Sequence, residues 1–181
     1  MSNTSMSNRR LETDMFGRHV QFEYSETWVG YALFGLRVIM GWSFFYSGAT
    51  KAWDPNWSVR GFLLYGIPEG NPFVDIWTVM ATEWAWLLTP LNSLGLTLVG
   101  LGLIFGAFVR FAAFWGAVMM LFYWLAAFPL PNSILINYHV MYVLLLFVLG
   151  AFGAGRILGL DAWIESQPIV ENNPRLKLFL G

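Results

Sequence analysis

Cysteine is absent from the 181 residues, and charged residues make up only 12% of them. Without cysteine the chain cannot form disulfides, cysteine-ligated Fe–S clusters or covalently attached haem. The charged fraction lies well below the roughly one quarter that is typical of soluble domains. A net charge of −1 gives no sign of nucleic-acid binding, so no nucleic-acid partner is expected. Because 57% of the residues are hydrophobic, the composition indicates a membrane protein.

Four apolar runs are long enough to be candidate membrane spans. They cover Val29–Ala49, about Leu91–Phe108, Phe111–Phe128 and about Ile134–Phe152. Only Val109-Arg110 separates the second run from the third, which predicts an antiparallel hairpin of helices. The predicted fold class is therefore an all-α integral membrane protein, a four-transmembrane-helix bundle.

The connection between the first two spans, Lys51–Pro90, is too hydrophobic for an ordinary loop. Apolar residues recur at helical spacing from Ile76 to Leu88, which predicts an amphipathic outer helix or lid. A shorter helix is expected within Trp57–Tyr65, stopped by Gly66 and Pro68. Such a lid either only covers the end of the bundle or also contacts substrate.

The charged residues divide the chain and orient it. We expect a polar cytoplasmic arm at 1–27, a four-helix membrane domain at 28–163 and a polar tail at 164–181. An even number of spans puts both termini on one side of a multi-pass protein of the cell membrane. The positive-inside rule makes that side cytoplasmic, because the other side has only two positively charged residues, Lys51 and Arg60. The cations on the side of the termini are Arg9, Arg10, Arg18, Arg110, Arg156, Arg175 and Lys177.

Arg37 lies near the middle of the first predicted span. A guanidinium near the membrane midplane costs at least ~2.5–3.5 kcal/mol, so it normally faces the protein interior and has a partner there. Two interpretations remain open. Arg37 either belongs to a ligand, electron or proton site, or it ties helices together through carbonyl and hydroxyl groups.

His139 is the second candidate, near the outer end of the fourth predicted span. A lone histidine is either a core residue with satisfied hydrogen bonds or a titratable group that moves protons. Aromatic residues at comparable depth favour a cleft for a quinone headgroup, with Arg37 and His139 as catalytic candidates. The predicted quinone-binding residues are Arg37, Trp42, Tyr46, Tyr123, His139 and Tyr142.

Lys51 and Arg60 are the candidates for attracting an anionic substrate on the outer side, with Glu83 on the same rim. The acidic residues of the same connection oppose this interpretation unless the fold separates them from the cleft. A surface ion pair between Lys51 and Glu83 is the simpler alternative. No dinucleotide fingerprint or phosphate loop is present, and one membrane histidine cannot supply bis-His haem ligation, so neither nucleotide nor haem is expected.

Several short motifs follow one another from about Trp28 to Trp163. They are Arg37–Trp42, Ser47–Lys51, Gly70–Phe73, Pro90–Gly95, Gly100–Gly102, Phe108–Arg110, Tyr138-His139 and Gly155–Asp161. In this order and spacing they resemble the DoxX/DoxD family of small four-helix membrane proteins, and most closely its DoxD branch.

The DoxD resemblance implies the membrane subunit of a thiosulfate:quinone oxidoreductase. Thiosulfate is then oxidised to tetrathionate outside the membrane, and quinone accepts the electrons. The implied partners are membrane lipid, membrane quinone, thiosulfate and a small companion subunit or larger respiratory complex. The alternative is a non-catalytic structural or assembly subunit of such a complex, and transport of a small molecule is the third possibility.

Overall fold

The structure, a computed structural model, describes residues 8–131 and 134–181. Its first element is a β-hairpin, in which β1 (Asn8–Met15) pairs antiparallel with β2 (Arg18–Ser25). Phe16 and Gly17 form the turn with φ values of 52° and 74°, the backbone that a two-residue hairpin turn requires. The sequence analysis gave this polar segment no regular structure. The all-α prediction is therefore wrong here, and the fold is mostly helical with one hairpin.

Eight α-helices follow the hairpin within the described residues. Three of them, α1, α4 and α5, are long and apolar enough to cross a membrane. α6 is apolar but has 14 residues, about 21 Å of helix. A fourth span therefore stays a prediction. The bounds are α1 Glu26–Trp53, α2 Val59–Tyr65, α3 Val74–Glu83, α4 Ala85–Phe105, α5 Val109–Ala126, α6 Tyr138–Ala151, α7 Asp161–Glu165 and α8 Pro168–Asn172.

The four longer helices pack as antiparallel neighbours, α1 against α4 and α5 against α6. Glycines bring α1 and α4 close together. A Cβ at Gly48 would lie 2.6 Å from Thr97 Oγ1, and one at Gly100 would lie 2.5 Å from Phe45 Cα. Gly41 meets Ile104 in the same way. Gly41 and Gly48 are seven residues apart, a spacing of small residues that permits close approach of two helices.

The α4–α5 turn lies at one end of the bundle, which we call the closed end. Gly106 ends α4 in the left-handed conformation, with φ of 67°. Asp161 then accepts hydrogen bonds from the backbone N–H groups of Phe108 and Val109, at 2.6 and 3.0 Å, and so caps α5. Val109-Arg110, predicted to be the connection, is instead the first turn of α5. The cap comes from a residue more than fifty positions away, which the local sequence does not show.

The C-terminal segment 164–181 packs against the closed end. Leu180 is fully buried, the Phe111 N–H donates to the Phe179 carbonyl, and the Gly181 N–H donates to Asp161. α7, α8 and a 3₁₀ helix at Pro174–Leu178 lie in or next to this segment. The sequence had suggested only a polar tail.

α2 and α3 lie at the opposite end of the bundle, and we call the segment 59–83 the cover. The predicted short helix is confirmed as α2, which ends at Gly66. The longer outer helix expected up to Leu88 divides at Trp84, because α3 ends there and α4 begins at once. Pro90 thus lies inside α4. An apolar cluster joins the cover to α5: Val59, Leu63, Trp77, Ala81 and Ala126.

Candidate functional site

A cavity of about 490 Å³ lies between the helical bundle and the cover. Its walls are largely apolar and include Phe44, Leu96 and Met120. The volume falls within the ~300–1,000 Å³ range of small-molecule sites. The polar side chains in its lining are Ser43, Ser47, Lys51, Tyr123, Tyr138, His139 and Tyr142.

Lys51 and Tyr123 form the polar centre of this cavity. Lys51 Nζ donates to the Tyr123 hydroxyl at 3.1 Å and lies 5.2 Å from the ring centroid of Trp57. The Tyr123 hydroxyl also contacts the amide of Asn92, with its oxygen 3.0 Å from Asn92 Oδ1. Because the Lys51 ammonium has three N–H donors, this arrangement leaves it able to donate to a bound ligand.

His139 is at the start of α6, 7% exposed, with its ring stacked on Tyr123 at a centroid distance of 5.8 Å. Asn137 caps the helix: its Oδ1 accepts from the backbone N–H groups of His139 and Val140, at 3.0 and 3.4 Å. Its Nδ2 is 3.0 Å from His139 Nδ1. Tyr142, one turn further along, packs against Phe44 at the cavity wall.

The acidic residues of the connection lie outside the cavity lining. Asp54, Glu69, Asp75 and Glu83 are all exposed, and none of them lines the cavity. The possible Lys51–Glu83 ion pair is not formed in the described part of the chain, because Lys51 points to Tyr123 instead. The fold thus separates the acids from the cleft, which was the condition for an anionic substrate.

Arg37 lies elsewhere, at the closed end. Its guanidinium is fully buried and donates to the carbonyls of Ala154, Ile157 and Leu158. Asp161 adds a favourable electrostatic interaction. Fourteen residues of helix separate Arg37 from Lys51, about 21 Å. Arg37 is level with Gly106 at the α4–α5 turn and far from the cavity, because α1 extends past that turn.

Three other predicted site residues are not brought into the cavity. Trp42 and Tyr46 are 58% and 61% exposed and pack on each other along the outer side of α1. They lie on a different helical face from Gly41 and Gly48, which contact α4. Arg60 is exposed and does not line the cavity. The structure therefore brings together Lys51, Tyr123, His139 and Tyr142, and leaves out Arg37, Trp42, Tyr46, Arg60 and Glu83.

Asparagines are the site residues that sequence reasoning missed. Asn71 Nδ2 donates to the carbonyls of Leu125, Ala126 and Phe128 at 2.9–3.1 Å, so it fixes the cover to the end of α5. Asn92 holds Tyr123, and Asn137 holds His139. Only Asn137 carried a readable signal, since asparagine directly before an apolar helix is a typical N-cap.

One comparison with known proteins gives a match. The sequence model of the DoxX family matches residues 32–130, more than half of the chain. No curated protein and no solved structure matches. The matched region runs from α1 through α5 and ends before α6, so it contains Lys51 and Tyr123 but not His139. With its three span-capable helices this is a multi-pass membrane protein. The chain belongs to the DoxX family of membrane proteins, which is associated with oxidoreductase-related functions.

Proposed function

We propose that this protein is the membrane subunit of a quinone-linked oxidoreductase and that the cavity binds the quinone headgroup. The observation that carries the proposal is Lys51, a cation in an apolar-walled cavity that no described carboxylate lines. Its described contacts are a phenol and two aromatic rings. A cation in such surroundings favours a ligand that presents oxygen acceptors.

The cavity suits an amphiphilic ligand of this kind. Phe44, Leu96 and Met120 offer apolar contact for a ring, and hydrogen-bonding groups lie in the same lining. Phe62, Gly66 and Pro68 of the cover close one side. The cover therefore contributes to the site in addition to covering the bundle.

Lys51, Tyr123 and Asn92 form a connected chain of hydrogen-bonding groups. A quinone would supply a two-electron acceptor that also takes up two protons. Lys51 would donate a hydrogen bond to a quinone oxygen. Its positive charge would stabilise the negative charge that the quinone gains as electrons arrive. Tyr123 accepts from Lys51 and reaches Asn92, so this chain can hold a proton close to the ligand.

Thiosulfate is the proposed electron donor, and the DoxD resemblance suggests it. Two thiosulfate dianions lose one electron each and form the S–S bond of tetrathionate. The two electrons leave with two protons as quinol, so the reaction balances without another oxidant. The separation of Asp54, Glu69, Asp75 and Glu83 from the cavity lining supports access by an anion. A small companion subunit or a larger respiratory complex is the expected partner.

We propose further that both termini are cytoplasmic and that the cover is outside. The chain has no cysteine, so single cysteines can be labelled cleanly. Ser166→Cys and Glu69→Cys are suitable because both positions are exposed. Membrane-impermeant maleimide should label Glu69→Cys from outside and Ser166→Cys only after the membrane is opened. The reverse pattern would remove the proposed orientation and the outer position of the cavity.

Replacing Lys51 tests the quinone site directly. Lys51→Met keeps the aliphatic stem and removes the charge, and loss of a charged hydrogen bond worth ~1.5–3 kcal/mol should weaken binding of a short-chain ubiquinone analogue by about 10-fold to 100-fold. Lys177→Met is the matched control, an exposed lysine at the closed end. Unchanged affinity in a folded Lys51→Met protein, or absence of binding by the wild type, would refute the proposal.

The second candidate function is a structural or assembly subunit of a respiratory complex. The β-hairpin favours it, because Phe16 at the turn is fully exposed and the neighbouring Met15 is half exposed. Phe22 of β2 is also half exposed, so the hairpin offers apolar side chains that a partner could cover. Phe16→Ser that abolishes co-purification of a partner complex, in a protein that binds no quinone, would favour this alternative.

A further inference from the structure

The contacts around Asn137 determine where His139 carries its proton. Asn137 Oδ1 faces two backbone N–H groups, those of His139 and Val140, and so must be the acceptor end of the amide. Asn137 Nδ2 is then the end that faces His139 Nδ1, at 3.0 Å. An amide NH₂ group can only donate, so Nδ1 must present its lone pair.

We propose that Asn137 is a positioning residue that holds His139 in the neutral tautomer with its proton on Nε2. The ring then offers the cavity a hydrogen-bond donor. This deepens the proposed function, on which it rests only for the identity of the ligand. No carboxylate among the described cavity residues faces the ring to stabilise an imidazolium; the neighbours are Lys51 of α1, Tyr123 of α5, and Tyr138 and Tyr142 of α6.

The proposal changes the role expected of His139. A neutral ring with its proton on Nε2 passes that proton on only if Nδ1 gains another one. The Asn137 amide opposes this, because an Nδ1–H group would face an N–H donor. His139 therefore binds and orients, and the protons taken up on quinone reduction come through other groups, of which Tyr123 is the nearest to Lys51.

The ligand chemistry follows from two donors on different helices. Lys51 Nζ comes from α1 and His139 Nε2 from α6, and both residues line the cavity. Among the described residues, His139 Nε2 has no hydrogen-bond partner. A ligand with an oxygen acceptor satisfies this donor, and a quinone carbonyl is such an acceptor.

The tautomer can be measured without any ligand. The chain has two histidines, so ¹⁵N-histidine labelling of the full-length His19→Gln protein in lipid bilayers gives the signals of His139 alone. At about pH 8 a free imidazole is largely neutral. We expect a protonated Nε2 and an unprotonated Nδ1. A protonated Nδ1, or the tautomer mixture of free imidazole, would overturn the proposal.

Two variants separate the cap from the ring contact. Asn137→Asp keeps an oxygen for the helix cap but puts a carboxylate oxygen against Nδ1, which should move the proton to Nδ1. Asn137→Ser keeps an oxygen for the helix cap but puts neither an amide NH₂ nor a carboxylate oxygen against Nδ1. Both neutral tautomers should therefore be populated. Circular dichroism checks that α6 survives. A folded Asn137→Asp protein that retains the Nε2–H tautomer contradicts the assignment.

Binding of the short-chain ubiquinone analogue tests the consequence. In Asn137→Asp the Nε2 lone pair would face the carbonyl oxygen of the analogue, so the affinity for the analogue should fall by about 10-fold or more. The affinity of Asn137→Ser should lie between those of Asn137→Asp and wild type. If the wild type does not bind the analogue, the proposed function fails while the tautomer result stands. If Asn137→Asp changes the tautomer but binds the analogue as tightly as wild type, the donor role of His139 is wrong.

Discussion

The two ends of the bundle surround a cation of α1 in different ways: Arg37 is fully buried, and Lys51 is partly buried. Arg37 and Lys51 lie on the same helix, fourteen residues apart. At the closed end Arg37 donates to three carbonyls and has Asp161 nearby, and only its Nε lacks a partner among the described residues. At the cavity end Lys51 has one phenol oxygen and two aromatic rings. A cation inside a bundle points to a ligand site when some of its hydrogen-bond donors have no acceptor. Burial of the charge alone does not indicate such a site.

The choice of side chain fits this difference. The planar guanidinium of Arg37 presents a fixed fork of donors that several carbonyls can occupy at once. The Lys51 ammonium is a compact charge on a flexible stem, which can turn from Tyr123 towards a ligand. Arginine thus suits the permanent contact, and lysine suits the site that exchanges partners.

Removing the charge at the closed end should give the largest effect. Arg37→Leu removes the guanidinium donor from three carbonyls, of which that of Ala154 keeps the Ile157 N–H, and it leaves Asp161 without its counter-charge. Breaking one partner of such a buried set costs about 3–5 kcal/mol. The expected result is poor assembly or a strong loss of stability in thermal unfolding in detergent. Arg175→Leu, at an exposed arginine, is the control.

The same variant also tests the separation of the two ends. Any folded Arg37→Leu protein should bind the quinone analogue with wild-type affinity, because its site lies about 21 Å away along α1. Normal stability together with lost quinone binding would reverse our assignment and place Arg37 in the functional site.

Two glycines of α1, Gly35 near the closed end and Gly48 near the cavity, differ in how closely other residues pack against them. Gly48→Ala puts a methyl group 2.6 Å from Thr97 Oγ1 and 2.8 Å from the Ser93 carbonyl oxygen, whereas Gly35 has nothing within 4 Å. Both substitutions gain similar helix propensity. Gly48→Ala should therefore be less stable than Gly35→Ala by about 1–3 kcal/mol, the usual cost of overpacking. Equal unfolding temperatures would show that α1 and α4 are not in close contact there.

Two substitutions at the cavity end distinguish a donor from a proton carrier. His139→Gln retains an N–H donor, whereas His139→Phe keeps an aromatic ring for stacking on Tyr123 and donates nothing. Loss of one hydrogen bond worth about 1 kcal/mol should weaken analogue binding about 5-fold in the Phe variant. The Gln variant should stay close to wild type in affinity and in turnover. A large loss of turnover in the Gln variant alone would restore the proton-relay interpretation.

The smallest effect concerns an ion pair beyond the closed end. The hydrogen bond from Arg156 lowers the pKa of Glu165. Because the folded-state pKa is the lower one, the pair stabilises the fold above the ordinary glutamate pKa of about 4.3, and this contribution disappears as pH falls through the lowered value. Unfolding followed between about pH 3 and 7 should show a weaker acid dependence in Glu165→Gln than in wild type.

The Arg156–Glu165 pair should contribute little to stability because Arg156 is partly exposed. Screening keeps the contribution below about 1 kcal/mol. Glu171→Gln removes an exposed glutamate of α8 and should leave the acid dependence as it is in wild type. An identical acid dependence in Glu165→Gln and wild type would mean that the Arg156 pair adds nothing to stability.

The sequence predicted the features that depend on local pattern. Apolar run length located α1, α4 and α5, and depth along the spans grouped Tyr123, His139 and Tyr142, which line one cavity in the structure. Depth was not sufficient for Trp42 and Tyr46, because it does not say which face of the helix turns inward. Helical phase relative to Gly41 and Gly48 would have excluded them.

Other features depend on contacts between distant residues. The position of Arg37 followed from where α4 turns into α5, and that turn is set by Gly106 and by Asp161 far along the chain. The fold of 164–181 likewise depends on contacts with α5. The hairpin was missed although a local signal exists: Val20, Phe22 and Tyr24 alternate with polar residues in β2, and Leu11 of β1 pairs with Phe22. The many charged residues around this alternation led to the interpretation as a polar arm.

The three hydrogen bonds from Asn71 to the end of α5 bear on how a ligand would reach the cavity. A hinged flap needs a loosely attached end, whereas here the loop between α2 and α3 is tied to the backbone of α5, and Trp77 also donates to Asn71. We therefore expect traffic from the bilayer, sideways between helices, as suits a molecule with a long hydrocarbon tail. A covalent cross-link between the cover and α5 should leave quinone reduction unchanged; a block would mean that the cover opens during turnover.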